Sequence, residues 1–126
     1  MREHYKTIVL GATYYGLGYA STHPDCLILE ESQTVGGDFH SCLHPVHTEN
    51  VPENEMTAIM REYGIWDGKT FDFLKAQTVV HEYVSRKLEA GMEILLDCRI
   101  LSVAKKGGGV TVEYITNQGI STVTAD

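Results

Sequence analysis

Two short apolar runs near the start of the chain, separated by a glycine-rich stretch, predict a βαβ unit. Residues 6–10 are rich in β-branched side chains and stop at Gly11, and residues 26–29 stop at Glu30. Continuous apolar runs of this length are typical of parallel strands that are buried on both faces. The pattern therefore predicts strand, turn, helix and strand over residues 5–30.

A longer stretch, residues 70–91, has apolar side chains at spacings of three and four, as on one face of a helix. These apolar positions are Leu74, Val79, Val80, Tyr83, Val84 and Leu88. Gly91 suits the position just after the helix, where glycine commonly adopts left-handed backbone. The apolar run at residues 92–97 then predicts a buried strand, parallel to the first two if the helix is a crossover.

Three further short runs, residues 99–104, 110–115 and 120–124, alternate with turn sequences. The turns are Lys-Lys-Gly-Gly-Gly at 105–109 and Thr-Asn-Gln-Gly at 116–119. Glycine and asparagine in such positions are typical of hairpins. The three runs therefore predict an antiparallel β-meander.

The segment between the βαβ unit and the long helix is less regular. Residues 53–63 predict a helix that stops at Gly64, and the prolines at positions 45 and 52 bracket a loop before it. We expect a helical insertion at about 45–69, packed on the sheet edge or reaching toward a substrate region. The length of 126 residues indicates one domain.

The glycine-rich stretch matches the dinucleotide-binding pattern G-x-G-x-x-G at its first and third glycines, Gly11 and Gly16, with Thr13 at the second. A helix N-terminus offers a pyrophosphate unpaired N–H groups and positive potential, and the first glycine permits the sharp turn that aims them. Gly16 has no Cβ, so the helix can approach the first strand closely. Glu30 lies 19 positions beyond Gly11, near the roughly 20 expected for the acid that binds an adenosine ribose.

Thr13 departs from this pattern. The second glycine normally leaves room for phosphate oxygens, and a β-branched side chain disfavours positive φ. Either the hydroxyl turns toward the phosphate and donates a hydrogen bond, or the loop is displaced and affinity falls. Tyr14 and Tyr15 lie at the mouth of the turn, where they would flank a cofactor or cover the helix start. An α/β unit that has lost its ligand remains an alternative.

Gly36 and Gly37 follow Glu30 by six and seven residues. With these residues the sequence resembles the FAD-dependent oxidoreductases of the glutathione-reductase-like superfamily. The pattern of that family is strand, G-x-G-x-x-G helix, strand ending in Glu, then a Gly-Gly loop. The resemblance implies a Rossmann-like three-layer α/β fold with a parallel sheet and a three-stranded meander. It also favours FAD over NAD as the cofactor.

The same resemblance implies where the cofactor lies. The Gly-Gly loop would pass under the pyrophosphate, and a backbone group near Ile100 would contact the adenine. Ala12 and Glu31 join the predicted site as neighbours of the glycine turn and of the ribose acid. The predicted cofactor residues are Gly11, Ala12, Thr13, Tyr14, Tyr15, Gly16, Glu30, Glu31, Gly36, Gly37 and Ile100. No catalytic residue is assigned.

Members of the family continue after the meander with a further parallel strand and a substrate domain. Here the sequence stops at residues 122–126, where that strand would begin. We therefore expect residues 1–126 to be a partial FAD/NAD(P)-binding domain that is inactive alone and can lack FAD. Two alternatives stay open: an NAD(P)-binding domain of a dehydrogenase, or a non-catalytic α/β fragment that self-associates through an exposed sheet edge.

Composition excludes some classes of partner. A net charge of −7 argues against a nucleic-acid surface. No apolar run reaches the roughly 18 residues of a membrane span, and the start lacks the apolar region of a signal peptide. We expect a soluble, cytoplasmic protein. The odd number of cysteines, three, indicates reduced thiols, and Cys26 and Cys98 are expected in the core.

A cluster of His40, Cys42, His44 and His47 follows the Gly-Gly loop. Its spacing matches no common structural zinc pattern, so we predict no metal site. In the superfamily that this sequence resembles, the disulfide reductases have a cysteine pair at this position. This chain has only Cys42 there, which makes disulfide reduction doubtful. The cluster would either face the flavin or substrate, or form an ordinary polar loop.

Overall fold

The computed structural model describes residues 1–40, 54–67 and 72–126. In these ranges three strands and four helices precede the end of the long fourth helix, and only strands follow it. The elements are β1 (His4–Tyr5), β2 (Thr7–Leu10), α1 (Tyr14–Thr22), β3 (Cys26–Leu29), α2 (Gly37–His40), α3 (Glu55–Glu62), α4 (Phe73–Glu89), β4 (Glu93–Leu95), β5 (Arg99–Lys106), β6 (Gly109–Thr116) and β7 (Gly119–Ala125).

The predicted parallel sheet is confirmed, with strand order β2-β3-β4 and β3 in the middle. All four residues of β3 are buried. Successive side chains of a strand point to opposite faces, so Leu27 and Leu29 lie on one face of the sheet while Cys26 and Ile28 lie on the other. An uninterrupted apolar strand is what a sheet covered on both faces requires.

Two apolar cores cover the two faces and produce three layers. The helix-side cluster combines Ile28 with α1, α3 and α4, and the meander-side cluster combines Leu27 and Leu29 with the meander. Prominent members of the helix-side cluster are Leu17, Ala20, Met56, Met60, Val80 and Tyr83, and those of the meander-side cluster are Tyr5, Val112, Tyr114 and Val123. The predicted three-layer α/β fold, with a parallel sheet and a meander, is confirmed.

The meander is confirmed as β5, β6 and β7 in antiparallel pairs. Its first turn consists of Gly107 and Gly108, whose φ values of +60° and +92° suit a two-residue hairpin. The first predicted strand, residues 6–10, needs a correction. Lys6 lies in neither strand, since β1 pairs in parallel with β7 while β2 belongs to the parallel sheet.

The long helix α4 begins after Asp72, whose carboxylate caps it by accepting from the N–H of Lys75. Gly91 has φ +101°, as predicted for the residue after the helix. The predicted apolar stripe is partly wrong, because Leu74 is 87% exposed and Leu88 is 46% exposed. Leu74 is about 200° around the helix from buried Ala76, and Leu88 lies in the last turn.

The third parallel strand is shorter than predicted. β4 spans only Glu93–Leu95 within the predicted residues 92–97, and it is half-buried rather than buried. It has β3 as a neighbour on one side. Asp97, which follows it, has left-handed backbone with φ +54°.

The helix predicted at residues 53–63 is observed as α3. Asn54 caps it by accepting from the N–H of Thr57 at 3.0 Å, and Gly64 follows its end with φ +64°. Met56 and Met60 lie in the helix-side cluster, so α3 belongs to the helix layer. Whether residues 45–69 are an insertion stays a prediction, since part of that range lies outside the described residues.

Candidate dinucleotide-binding site

Three segments that are separate in the sequence meet at the carboxyl end of the parallel sheet. They are the glycine turn (residues 11–13), the acidic end of β3, and the Gly-Gly segment before α2 (Gly36 and Gly37). Gly11 follows β2 directly, and its N–H donates to the carbonyl of Leu29 at 2.7 Å. Its φ of +103° would strain any residue with a Cβ. Open α/β sheets bind their ligands at this end of the strands.

Gly16 allows α1 to approach the sheet. A Cβ at this position would lie 2.1 Å from the carbonyl oxygen of Gly11 and 3.2 Å from Cγ1 of Val9. The first distance is impossible without a backbone shift. The expectation that this glycine permits close packing of the helix on the first strand therefore agrees with the geometry.

Thr13 is the N-cap of α1. Its hydroxyl oxygen accepts a hydrogen bond from the N–H of Gly16 at 3.3 Å. The strain expected from a β-branched residue does not arise, because Thr13 is extended with φ −81°. Sequence reasoning missed this cap, although threonine directly before a helix is an N-cap signal. A capping hydroxyl keeps its own proton for a second acceptor.

The carboxylate of Glu30 lies directly beside the glycine turn. One oxygen, Oε2, accepts from the N–H of Ala12 at 2.6 Å, and the other, Oε1, accepts from the N–H of Ser32 at 2.8 Å. The side chain is half-buried at the end of β3. A carboxylate has about four acceptor positions, so these two bonds leave Glu30 with capacity for further donors.

Glu31 connects this end of the sheet to the meander. Its Oε1 accepts a hydrogen bond from the N–H of Ile100, near the start of β5, at 3.1 Å. Glu31 is exposed and Ile100 is half-buried. The predicted adenine position at Ile100 therefore lies next to an acid that adjoins Glu30.

The Gly-Gly segment contacts the glycine turn. The N–H of Gly36 donates to the carbonyl of Ala12 at 2.7 Å, and Gly36 has φ +67°. Gly37 begins α2, so the second glycine is helical rather than part of an extended loop. Asp38 follows, and its Oδ2 accepts from the N–H of Tyr14 at 2.9 Å. Sequence reasoning did not single out Asp38, since no local pattern signals a bond between residues 24 positions apart.

The two tyrosines at the start of α1 have different surroundings. The ring of Tyr14 is buried in the helix-side cluster, whereas the ring of Tyr15 is 62% exposed. The rings meet edge to face, with their centroids 5.4 Å apart. Of the two, only Tyr15 therefore exposes its ring at the mouth of the glycine turn.

The structure describes only some of the cysteine and histidine side chains. Cys26 and Cys98 are buried, as predicted, and burial raises the pKa of both thiols. Cys42, His44 and His47 lie outside the described residues, and only the backbone of His40 lies within them. In the described part of the chain, no group of three or more metal-ligating side chains converges.

Over the described ranges, the helices are each too short or too polar to cross a bilayer. No protein-family model matches the sequence, and no curated protein matches it either.

The fold is similar to those of solved oxidoreductase structures. Bacillithiol disulfide reductase from Bacillus cereus is 19% identical, with 97% of this chain and 37% of that chain covered and a TM-score of 0.67. An oxidized steroid monooxygenase bound to NADP is also 19% identical, with 97% and 25% covered and a TM-score of 0.66. A flavoprotein/dehydrogenase from Cytophaga hutchinsonii is 12% identical, with 98% and 38% covered and a TM-score of 0.59.

At these identities the likeness shows the fold alone. The chain spans less than half the length of each of these three proteins.

Proposed function

We propose that this chain is the N-terminal FAD-binding portion of a flavin-dependent oxidoreductase, and that it is inactive alone. The observation that carries the proposal is the hydrogen bond from Gly36 to the carbonyl of Ala12. It brings the Gly-Gly segment onto the glycine turn at the carboxyl end of the sheet. Strand, turn, acid and Gly-Gly segment then surround one position, where a dinucleotide would lie.

The pyrophosphate is assigned to the N-terminus of α1. Gly11 turns the chain away from the sheet, and Gly16 lets the helix start lie close to the strand ends. The positive end of the helix dipole and the first-turn N–H groups favour an anion there. The hydroxyl of Thr13, which keeps its proton, is a further donor at the same position.

The adenosine is assigned to the acidic end of β3. Glu30 has acceptor capacity left after its bonds to Ala12 and Ser32, so it fits the two hydroxyls of a ribose. The backbone at Ile100 is assigned to the adenine, beside Glu31. These residues bind and orient the cofactor. When bound, a flavin supplies hydride or electron transfer, and substrate and electron acceptor belong to the complete protein.

A nicotinamide dinucleotide is the competing ligand. The fold is shared both with a flavoprotein and with a monooxygenase bound to NADP. We favour FAD because the Gly-Gly segment contacts the turn, and because a meander covers the second face of the sheet. A simple nicotinamide-binding unit requires neither feature.

The test is a titration of the chain with FAD, NAD and NADP, followed by gel filtration to see which ligand is retained. Retained visible absorbance of the flavin would support the proposal. Retention of NAD or NADP but not of FAD would contradict the proposal and support a nicotinamide dinucleotide as the ligand.

Glu30→Ala should weaken FAD binding by about tenfold, since ribose hydroxyls would lose a charged acceptor. Glu3→Ala is the matched control, because Glu3 is an exposed glutamate at the other end of the sheet. Equal FAD affinity in the wild type and Glu30→Ala would contradict the ribose assignment.

A second candidate function is self-association through β2. Within the described residues β2 is an outer strand of the parallel sheet, and its last residue, Leu10, is 51% exposed. Outer strands with free backbone groups readily pair with another chain. Light scattering over a range of concentrations tests this candidate, with Leu10→Lys as the variant. A monomeric mass throughout would exclude it.

A further inference from the structure

An acidic side chain of this chain lies at the position that the proposed function assigns to the pyrophosphate. Asp38 is half-buried on α2, and its Oδ2 accepts from the N–H of Tyr14 at 2.9 Å. Tyr14 is the first residue of α1. Its N–H is one of the four at a helix start that have no partner within the helix.

Asp38 and a pyrophosphate at the start of α1 would compete for the N–H of Tyr14. Both are anions, and an N–H group at a helix start is most favourable to one anion at a time. Another donor of the glycine turn, the N–H of Ala12, is already bonded to Glu30. The formal net charge of the chain, −7, adds to the repulsion. A phosphate therefore meets two carboxylates at the turn.

We propose that Asp38 is an internal competitor of the dinucleotide, which occupies the N-terminus of α1 until a pyrophosphate displaces it. The inference rests on the proposed function, since it concerns the same site. It assigns Asp38 to control of affinity and leaves the identity of the dinucleotide unchanged. The exchange is one anion for another on the N–H of Tyr14.

A glycine, Gly37, directly precedes Asp38. Gly36 is anchored by its bond to the carbonyl of Ala12, while Gly37 lies between this anchor and Asp38. Glycine has the widest range of backbone conformations. The proposed exchange requires the carboxylate to move away from Tyr14 while the contact between Gly36 and the glycine turn is kept.

Two variants separate the charge of Asp38 from its hydrogen bond. Asp38→Asn keeps an oxygen acceptor and removes the charge, and Asp38→Ala removes both. Glu62→Gln is the control, since Glu62 is an exposed acid at the end of α3 and its substitution changes the net charge by the same amount. Calorimetric titration with FAD and with ADP, which has the adenine, ribose and diphosphate but no flavin, gives the affinities.

We expect Asp38→Ala to bind both ligands at least about tenfold more tightly than the wild type. The gain in affinity should be smaller in Asp38→Asn and absent in Glu62→Gln. Amide hydrogen exchange at Tyr14 supplies a readout without nucleotide. It should be faster in Asp38→Ala than in the wild type, because the N–H of Tyr14 loses its acceptor.

The outcomes separate the two proposals. Measurable binding by the wild type, with no gain in either Asp38 variant, overturns the competition and leaves the FAD proposal standing. Unchanged exchange at Tyr14 in Asp38→Ala also overturns the competition, because Asp38 would not protect that amide. If neither the wild type nor any variant binds FAD or ADP, the proposed function fails and the competition fails with it.

Discussion

The two ends of the parallel sheet both carry acidic side chains, but they satisfy them in different ways. At the amino end the acids have side-chain partners. Arg2 pairs with Asp25 at 2.6 Å and with Glu93 at 3.0 Å. The hydroxyl of Tyr5 also donates to Glu93, at 2.7 Å. At this end the negative charges of Asp25 and Glu93 are paired with the positive charge of Arg2, and Glu93 also accepts a hydrogen bond from Tyr5.

At the carboxyl end three acids accept hydrogen bonds from backbone N–H groups. Glu30, Glu31 and Asp38 each take the N–H of a residue that is distant in the sequence. Backbone N–H groups carry only partial charge, so these bonds do not neutralise the carboxylates. The comparison shows that Asp25 and Glu93 at one end are paired with a cationic side chain, whereas Glu30, Glu31 and Asp38 at the other end accept from backbone donors that a second anion can also use.

The largest effect should come from Gly16→Ala at the carboxyl end. The added Cβ would lie 2.1 Å from the backbone oxygen of Gly11, and relieving that clash requires α1 to move. We expect a loss of about 3 kcal/mol in the free energy of unfolding, measured by urea denaturation. Gly18→Ala is the comparison, since its Cβ meets the side-chain nitrogen of Asn54 at 2.5 Å. An equal or larger loss in Gly18→Ala would contradict the argument.

At the amino end, Tyr5→Phe should lower the free energy of unfolding by about 1 to 2 kcal/mol. The phenyl ring still fills its place in the meander-side cluster, but Glu93 loses a hydrogen-bond donor. Tyr19→Phe is the control, because Tyr19 is exposed and stacks on His23 through its ring. Chemical denaturation of the three proteins measures the difference. Equal stability of Tyr5→Phe and wild type would show that the bond to Glu93 contributes nothing.

The same network predicts a dependence of stability on pH. The hydrogen bond from Tyr5 lowers the pKa of Glu93, with a further contribution from Arg2. A lowered pKa stabilises the folded state above the pKa of an unfolded glutamate, about 4.3. That contribution is lost as pH falls below this value and through the lower, folded pKa. Thermal unfolding as a function of pH should therefore show a steeper acid loss for wild type than for Glu93→Gln, and parallel curves would contradict the prediction.

The smallest effect should come from Arg2→Ala. The Arg2 side chain is half exposed, and its ion pairs with Asp25 and Glu93 are screened by salt. We expect a slight loss of stability at low ionic strength that disappears at high ionic strength, measured by thermal unfolding. A loss that persists in high salt would instead identify packing of the guanidinium on the Tyr5 ring, 4.3 Å from the centroid, as the stabilising contact.

Local patterns predict the elements because strand and helix periods depend on neighbouring residues, whereas the three layers follow from the family resemblance. Gly16 was assigned its packing role for the same reason, since it follows the strand and turn directly. The contacts that define the site were not predictable in this way. Glu30 was expected at the ribose, but its bond to Ala12 depends on how β3 is aligned with the turn after β2.

Two further differences have the same origin. Asp38 was missed because its bond to Tyr14 crosses from the Gly-Gly segment to α1, and no spacing rule connects them. Leu74 and Leu88 were included in the buried stripe of α4 because their spacing fits, but burial depends on which face of the helix meets the sheet layer. The assignment of cofactor residues stays a prediction throughout.

The parallel pairing of β1 with β7 has a consequence for the order of folding. It joins His4 to Thr124, residues 120 positions apart. Loop-closure entropy delays such pairs, while hairpins form within microseconds. The meander can therefore form from its own turns, and β2 can pair with β3 after α1 has formed. We therefore expect β1 to pair after both, so that His4 and Tyr5 are among the last residues to acquire their native neighbours.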